Sequence, residues 1–131
     1  MKIEHIAVWT NRLEELKNFY IKYFNAVSNE KYISKNTIGF ESYFLSFDGD
    51  TRLELMQQAN IVSKNNDNAE GLTHIAFAAA HKEELDTLFS KMQKDGVRIV
   101  SFPRITGDGY YEACVLDPDG NKVEISIKKE I

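Results

Sequence analysis

The sequence has a single cysteine, no apolar run long enough to cross a membrane, and no surplus of basic residues. Each shortage excludes something. Cys114 alone cannot close an internal disulfide, and it sits within an apolar run, so it reads as a small buried hydrophobe in a reducing compartment. A membrane-spanning helix needs about 20 consecutive apolar residues, and no stretch approaches that. The opening MKIEHIAVWT places Glu4 and His5 where a secretion signal needs unbroken apolar residues. A cytoplasmic protein with no membrane partner is expected. Lys and Arg number 16 against 20 Asp and Glu, for a formal net charge of -4, and the basic residues are scattered. No stripe of them could neutralise successive phosphates, which argues against nucleic acid as a partner.

What is present suits a folded domain. The 131 residues are 43% hydrophobic and 27% charged, near the globular average and enough to bury a core without staples. The chain also repeats itself: HIAVWTNRLEELKNFY, from His5, is echoed by HIAFAAAHKEELDTLF, from His74. Each copy begins with strand-like alternation and passes into apolar positions three and four apart. In the first helix Leu13, Leu16, Phe19, Tyr20, Tyr23 and Phe24 form one stripe, and Asn11 with Glu14 predicts its N-terminal cap. In the second, Leu85, Leu88, Phe89 and Met92 repeat the stripe, and Gly96 stands where a left-handed C-terminal cap belongs. Each helix is followed by β-like runs: FESYFLSF and TRLELMQ in the first half, VRIVSF, YYEACVL and KVEISI in the second. Asp48-Gly49-Asp50 and Asp117-Pro118-Asp119-Gly120 are the hairpin turns. The reading is α+β, two modules at about residues 1–58 and 71–131, joined by a polar linker at about 59–70 that leaves room for a lid.

Four polar residues keep register through the duplication. His74 follows His5 by 69 residues, and Glu124 follows Glu54 by 70. Parity shows where they point, since alternate residues of a strand share a face. Glu54 lies between Leu53 and Leu55, and Glu124 between Val123 and Ile125, so both carboxylates face away from the helix-packed layer. Strand glutamates usually face water, and Arg52, Lys122, Ser126 and Lys128 share these faces, so either carboxylate alone would be ordinary surface. The matched quartet outweighs that. Two imidazoles and two carboxylates suit Ni, Zn, Co, Mn or Fe with positions left open, whereas Ca or Mg would want more oxygen. Without a cation, two converging carboxylates would repel, and one would take up a proton.

The residues that carry this pattern resemble the vicinal oxygen chelate superfamily of glyoxalase I, bleomycin-resistance proteins and extradiol dioxygenases: HIAV and HIAF at the module starts, LEL around Glu54, GLTHIAF around His74, and DPDGNKVEI ending near Glu124. The resemblance covers nearly the whole chain. It implies two βαβββ modules whose cupped, mostly antiparallel sheets pair around a metal site, within one domain of 1–131. It implies a homodimer, with one divalent transition metal ion, such as nickel or zinc, on His5, Glu54, His74 and Glu124. The order of ligands is most similar to glyoxalase I. That implies a metal-dependent lyase or isomerase of lactoylglutathione lyase type, moving a proton through a metal-bound enediolate of a small hydroxycarbonyl or thiohemiacetal substrate. Glu124 would be the catalytic base and then acid, with Glu54 its counterpart. A bleomycin-resistance-like binding protein, an acyl-CoA epimerase and a dioxygenase are the alternatives.

Departures from the family bear on the substrate. Glyoxalases I commonly carry an arginine where this chain has Trp9, and an indole cannot clamp a glutathione carboxylate. Leu16 and Asn25 replace a small residue and a glycine, which read as packing changes. Trp9, Phe40, Tyr43, Tyr110 and Tyr111 could line the cup, although strand aromatics are more often core. Gly107 and Gly109 read as a plain turn, and His81 and Asp108 as exposed.

Overall fold

Duplicated sequence folds into duplicated elements. A computed structural model describes residues 1–64 and 68–128; residues 65–67 of the expected linker, and 129–131, lie outside the described residues. The chain divides into two compact units, Met1–Asn65 and Asn66–Ile131. Unit 1 runs β1 (His5–Trp9), α1 (Leu13–Phe24), β2 (Val27–Ser28), β3 (Tyr32–Ile33), β4 (Glu41–Ser46) and β5 (Arg52–Gln57). Unit 2 runs β6 (His74–Ala78), α2 (Lys82–Lys94), β7 (Ile99–Ile105), β8 (Tyr110–Leu116) and β9 (Lys122–Lys128).

Each unit is one helix beside one sheet. The first sheet has the order β1-β5-β4-β2, with β3 also on β4, and the second β6-β9-β8-β7. In both, the opening strand lies parallel to the last strand of its unit, and all other pairs are antiparallel. That is the α+β, mostly antiparallel architecture that the sequence implied. The strand between helix and hairpin is where the copies differ. In unit 2 it is continuous; in unit 1 it is broken into β2 and β3, two residues each. The segment NAVSNEKYIS alternates too weakly to reveal strands in advance. Pro103 sits on the edge strand β7, where a missing N–H is tolerated, and the β7/β8 register shifts there.

The stripes bury as expected. Leu13, Leu16, Phe19, Tyr20 and Tyr23 of α1 are buried, as are Leu85, Phe89 and Met92 of α2, with Phe24 and Leu88 half-buried. They meet Leu45, Leu53 and Leu55 in unit 1 and Ala113, Val115, Val123 and Ile125 in unit 2. The expected cap of α1 is corrected. The N-cap is Arg12, with no side-chain cap. Thr10 Oγ1 accepts from the Arg12 N–H at 2.8 Å, and the Asn11 amide donates to the Ile61 carbonyl at 2.8 Å. Glu14 is drawn instead to Lys31 and the Tyr43 hydroxyl. The reciprocal cap lies on α2: His81 Nδ1 accepts from the Glu84 N–H at 3.2 Å, and Glu84 accepts from the Ala80 N–H at 2.6 Å. Both helices end left-handed, at Asn25 (φ 54°) and Gly96 (φ 82°). Asparagine serves where a glycine is commoner. Among the described residues no helix is long and apolar enough to cross a membrane.

Candidate metal centre

The parallel ladder brings each imidazole to its carboxylate. In unit 1, β1 and β5 pair His5 with Arg52 and Ala7 with Glu54; in unit 2, β6 and β9 pair His74 with Lys122 and Ala76 with Glu124. The registers superimpose under the repeat. Burial of Leu53, Leu55, Val123 and Ile125 on the helix side leaves Glu54 and Glu124 on the other face, with the histidines. An alanine opposite each carboxylate keeps the space between imidazole and carboxylate clear. His5 Nε2 lies 3.7 Å from Glu54 Oε1, and His74 Nε2 lies 3.2 Å from Glu124 Oε2. The carboxylates are sunk, with side chains 14% and 20% accessible, while both imidazoles are 39% accessible.

These separations can be set against the chemistry of a chelate. Nitrogen and oxygen donors each about 2.1 Å from one ion stand about 3 Å apart at right angles and about 3.4 Å apart at the tetrahedral angle. The pair in unit 2 falls inside that range, and the pair in unit 1 is a few tenths wide. At 3.7 Å, His5 and Glu54 are too far apart for a hydrogen bond to explain the arrangement. Each pair by itself is spaced as two donors to one borderline divalent ion would be, or nearly so. Among the described residues no group of three or more His, Cys, Asp or Glu side chains is gathered closely enough to hold one. Each unit presents one histidine–glutamate pair.

The surroundings include residues that sequence reasoning passed over. Glu4 touches His5 Nδ1 with one carboxylate oxygen. Its other oxygen accepts from Arg52 Nε at 2.8 Å and from Arg52 Nη2. The Arg52 guanidinium lies 4.2 Å from the centre of the Phe44 ring, whose plane meets His5 edge-on at 5.3 Å. The available signal was parity, which puts Arg52 on the face of Glu54. In unit 2, Cys114 is the cross-strand neighbour of Glu124. It is buried, as expected, but on the ligand face; burial first and the Glu124 charge second push its thiol up.

Other candidates separate by face. Trp9 shares the His5 face of β1, is 44% exposed, and meets Phe40 edge-on at 6.2 Å. Tyr43 and Tyr111 turn the other way, their hydroxyls donating to Glu14 on α1 and Asp86 on α2. Tyr110 shares the Cys114 face of β8. Leu16 is core. Gly107, Asp108 and Gly109 form the β7/β8 turn, closed by the Thr106 N–H donating to the Tyr110 carbonyl at 2.7 Å. His81 is exposed, as expected, and has gained a capping role. A hollow beside the start of α1, walled by Arg12, Glu14, Lys31, Glu41 and Gln57, holds none of the four expected ligands.

The model of the Glyoxalase/Bleomycin resistance protein/Dioxygenase superfamily matches residues 2–125. A protein of uncharacterised function from Bacillus subtilis strain 168, YqjT, is 38% identical over 58 residues, which is 42% of this chain and 45% of that protein. A glyoxylase/bleomycin resistance protein/dioxygenase domain from Frankia sp. EAN1pec superimposes with a TM-score of 0.84 at 14% identity, covering 98% of both chains. A glyoxalase I mutant from Zea mays superimposes with a TM-score of 0.79 at 20% identity, covering 98% of this chain and 45% of the maize chain. At such identities the two structural likenesses concern the fold.

Proposed function

The chain belongs to the glyoxalase/bleomycin resistance protein/dioxygenase superfamily, and from that premise we propose that it is a metal-dependent lyase or isomerase of glyoxalase type. One observation carries the reading: two histidine–glutamate pairs, in the same ladder register, each at or near chelating distance. His5, Glu54, His74 and Glu124 together hold one divalent transition metal ion, nickel, zinc, cobalt, manganese or iron. When bound, the ion supplies Lewis acidity that lowers the cost of removing a proton beside a substrate carbonyl. Glu124 takes that proton on a carboxylate oxygen and returns it to the neighbouring carbon, and Glu54 is its counterpart across the site. Nothing is added or lost, so the reaction is an isomerisation of a small hydroxycarbonyl or thiohemiacetal.

Trp9 shapes the substrate. Its indole offers no guanidinium for a carboxylate, so a thiol adduct without the glutathione clamp, or a plain hydroxycarbonyl, suits the site better. The two units work as one domain within a homodimer, in a reducing compartment such as the cytoplasm.

The test has two arms. Elemental analysis of protein purified without an affinity tag is expected to find about one transition-metal equivalent per chain. The metal-loaded protein is expected to turn over methylglyoxal mixed with one or more thiols, and Glu124→Gln to lower that rate by roughly 10²–10⁴-fold. An unchanged rate in Glu124→Gln would refute the role of that glutamate. A second reading, sequestration of an aromatic drug without turnover, draws on the exposed shelf of Trp9, Phe40 and Tyr32, whose rings follow one another at 6.2 and 6.3 Å. Metal-free protein that binds planar aromatic compounds would favour it.

A further inference from the structure

The two half-sets have the same donors in unequal settings. In unit 1 the His5 ring is engaged on three sides: Glu4 at Nδ1, Glu54 facing Nε2, and the Phe44 ring against its plane. Glu4 is itself held by Arg52, which also covers Phe44. The repeat puts Thr73, Lys122 and Cys114 at the corresponding places around His74. A hydroxyl, a flexible amine and a small thiol supply neither a carboxylate at Nδ1 nor a ring to pack against.

We propose that Glu4 is a positioning residue that fixes the tautomer and orientation of His5, so that unit 1 presents a preorganised half-set and unit 2 an adaptable one. A carboxylate can only accept, so the proton of the pair resides on Nδ1 and the lone pair of Nε2 faces Glu54. That is the form in which an imidazole ligates through Nε2, with the carboxylate behind it fixing the ring's orientation. Arg52 keeps Glu4 from swinging into solvent, with two N–H groups on one carboxylate oxygen. Without that anchor an exposed carboxylate would spend much of its time elsewhere. The inference rests on the metal reading above for its consequence, and on the contacts alone for the state of His5.

The experiment compares the wild type with Glu4→Gln, and with Glu30→Gln as a control that removes one exposed carboxylate elsewhere. In the metal-free proteins at about pH 8, where an ordinary imidazole is neutral, histidine ¹⁵N shifts report the tautomer. Wild-type His5 is expected to carry its proton on Nδ1, Glu4→Gln to shift that population toward Nε2–H, and His74 to stay the same in all three. Zinc affinity, from competition with a chelator, is expected to weaken about tenfold in Glu4→Gln, the lower end for a carboxylate behind a ligand because Glu4 is itself exposed, and less than about twofold in Glu30→Gln. Unchanged His5 shifts, or equal losses of affinity in the two variants, would overturn the proposal. A wild type that takes up no zinc would sink the metal reading instead, and the tautomer comparison, which needs no metal, would still decide whether Glu4 sets His5.

Discussion

Glu54 and Glu124 are side chains of a type that usually faces water, and their sunken positions follow from what stands opposite. Ala7 and Ala76 are small enough for a carboxylate to settle beside the neighbouring imidazole. A bulkier residue is expected to part the pair: Ala76→Leu should lower zinc affinity at least tenfold while leaving the fold intact, measured by chelator competition and by thermal unfolding. Asp117 is the residue on which the second turn depends. It is 1% exposed, and its carboxylate accepts from the Asp119 and Asn121 N–H groups and from the Asn121 amide, each at 2.9 Å. Asp117→Ala strands those donors and is expected to cost about 1–3 kcal/mol in urea unfolding. Asp48→Ala, at the corresponding exposed turn, should stay within about 0.5 kcal/mol. The sequence marked both as turn residues alike; only burial separates them.

The elements are tied together on the helix side by charge. Glu14 of α1 receives the Tyr43 hydroxyl of β4 at 2.9 Å and Lys31 at 2.8 Å, with Lys17 at 3.3 Å. The Lys31 contact, followed by those of Tyr43 and Lys17, outweighs burial and holds the Glu14 carboxyl down at about 2, from an ordinary 4.5. A depressed folded value means stabilisation that is complete above 4.5 and lost as the pH falls toward 2. The difference in melting temperature between wild type and Glu14→Gln is therefore expected to be constant near neutrality, to shrink below pH 4.5, and to vanish near pH 2. A difference that stays constant through that window would contradict the assignment. The helices, hairpins and turns were legible because their apolar periods and turn residues are local. The broken β2–β3 strand was not, because NAVSNEKYIS alternates too weakly, and neither was the cap of α1, because Glu14 chooses between a capping N–H and partners on β4 and at Lys31.

At the scale of the whole molecule, the proposed four-ligand site needs a pair from each unit, and whether both pairs come from one chain has a direct test. His5→Ala and His74→Ala are each expected to abolish activity in homodimers. If ligands are shared between chains, the mixed dimer pairs the intact His5 of one chain with the intact His74 of the other, and recovers one working site of two. If each chain completes its own site, mixing recovers nothing. Activity of purified heterodimers, relative to wild type, reads the answer as about half or about zero.

The duplication, the strand faces and the matched register of the two histidine–glutamate pairs were determined by the sequence alone, because period and parity need only the order of residues. Tertiary structure decided the rest. Registers in the two parallel ladders set each imidazole beside its carboxylate, since residues about fifty apart meet only when the last strand of a module returns to its first. It also set the Glu4 carboxylate against His5 and brought up a guanidinium from β5 and a ring from β4, an inequality with His74 that two nearly identical motifs conceal because Arg52 and Phe44 come from other strands.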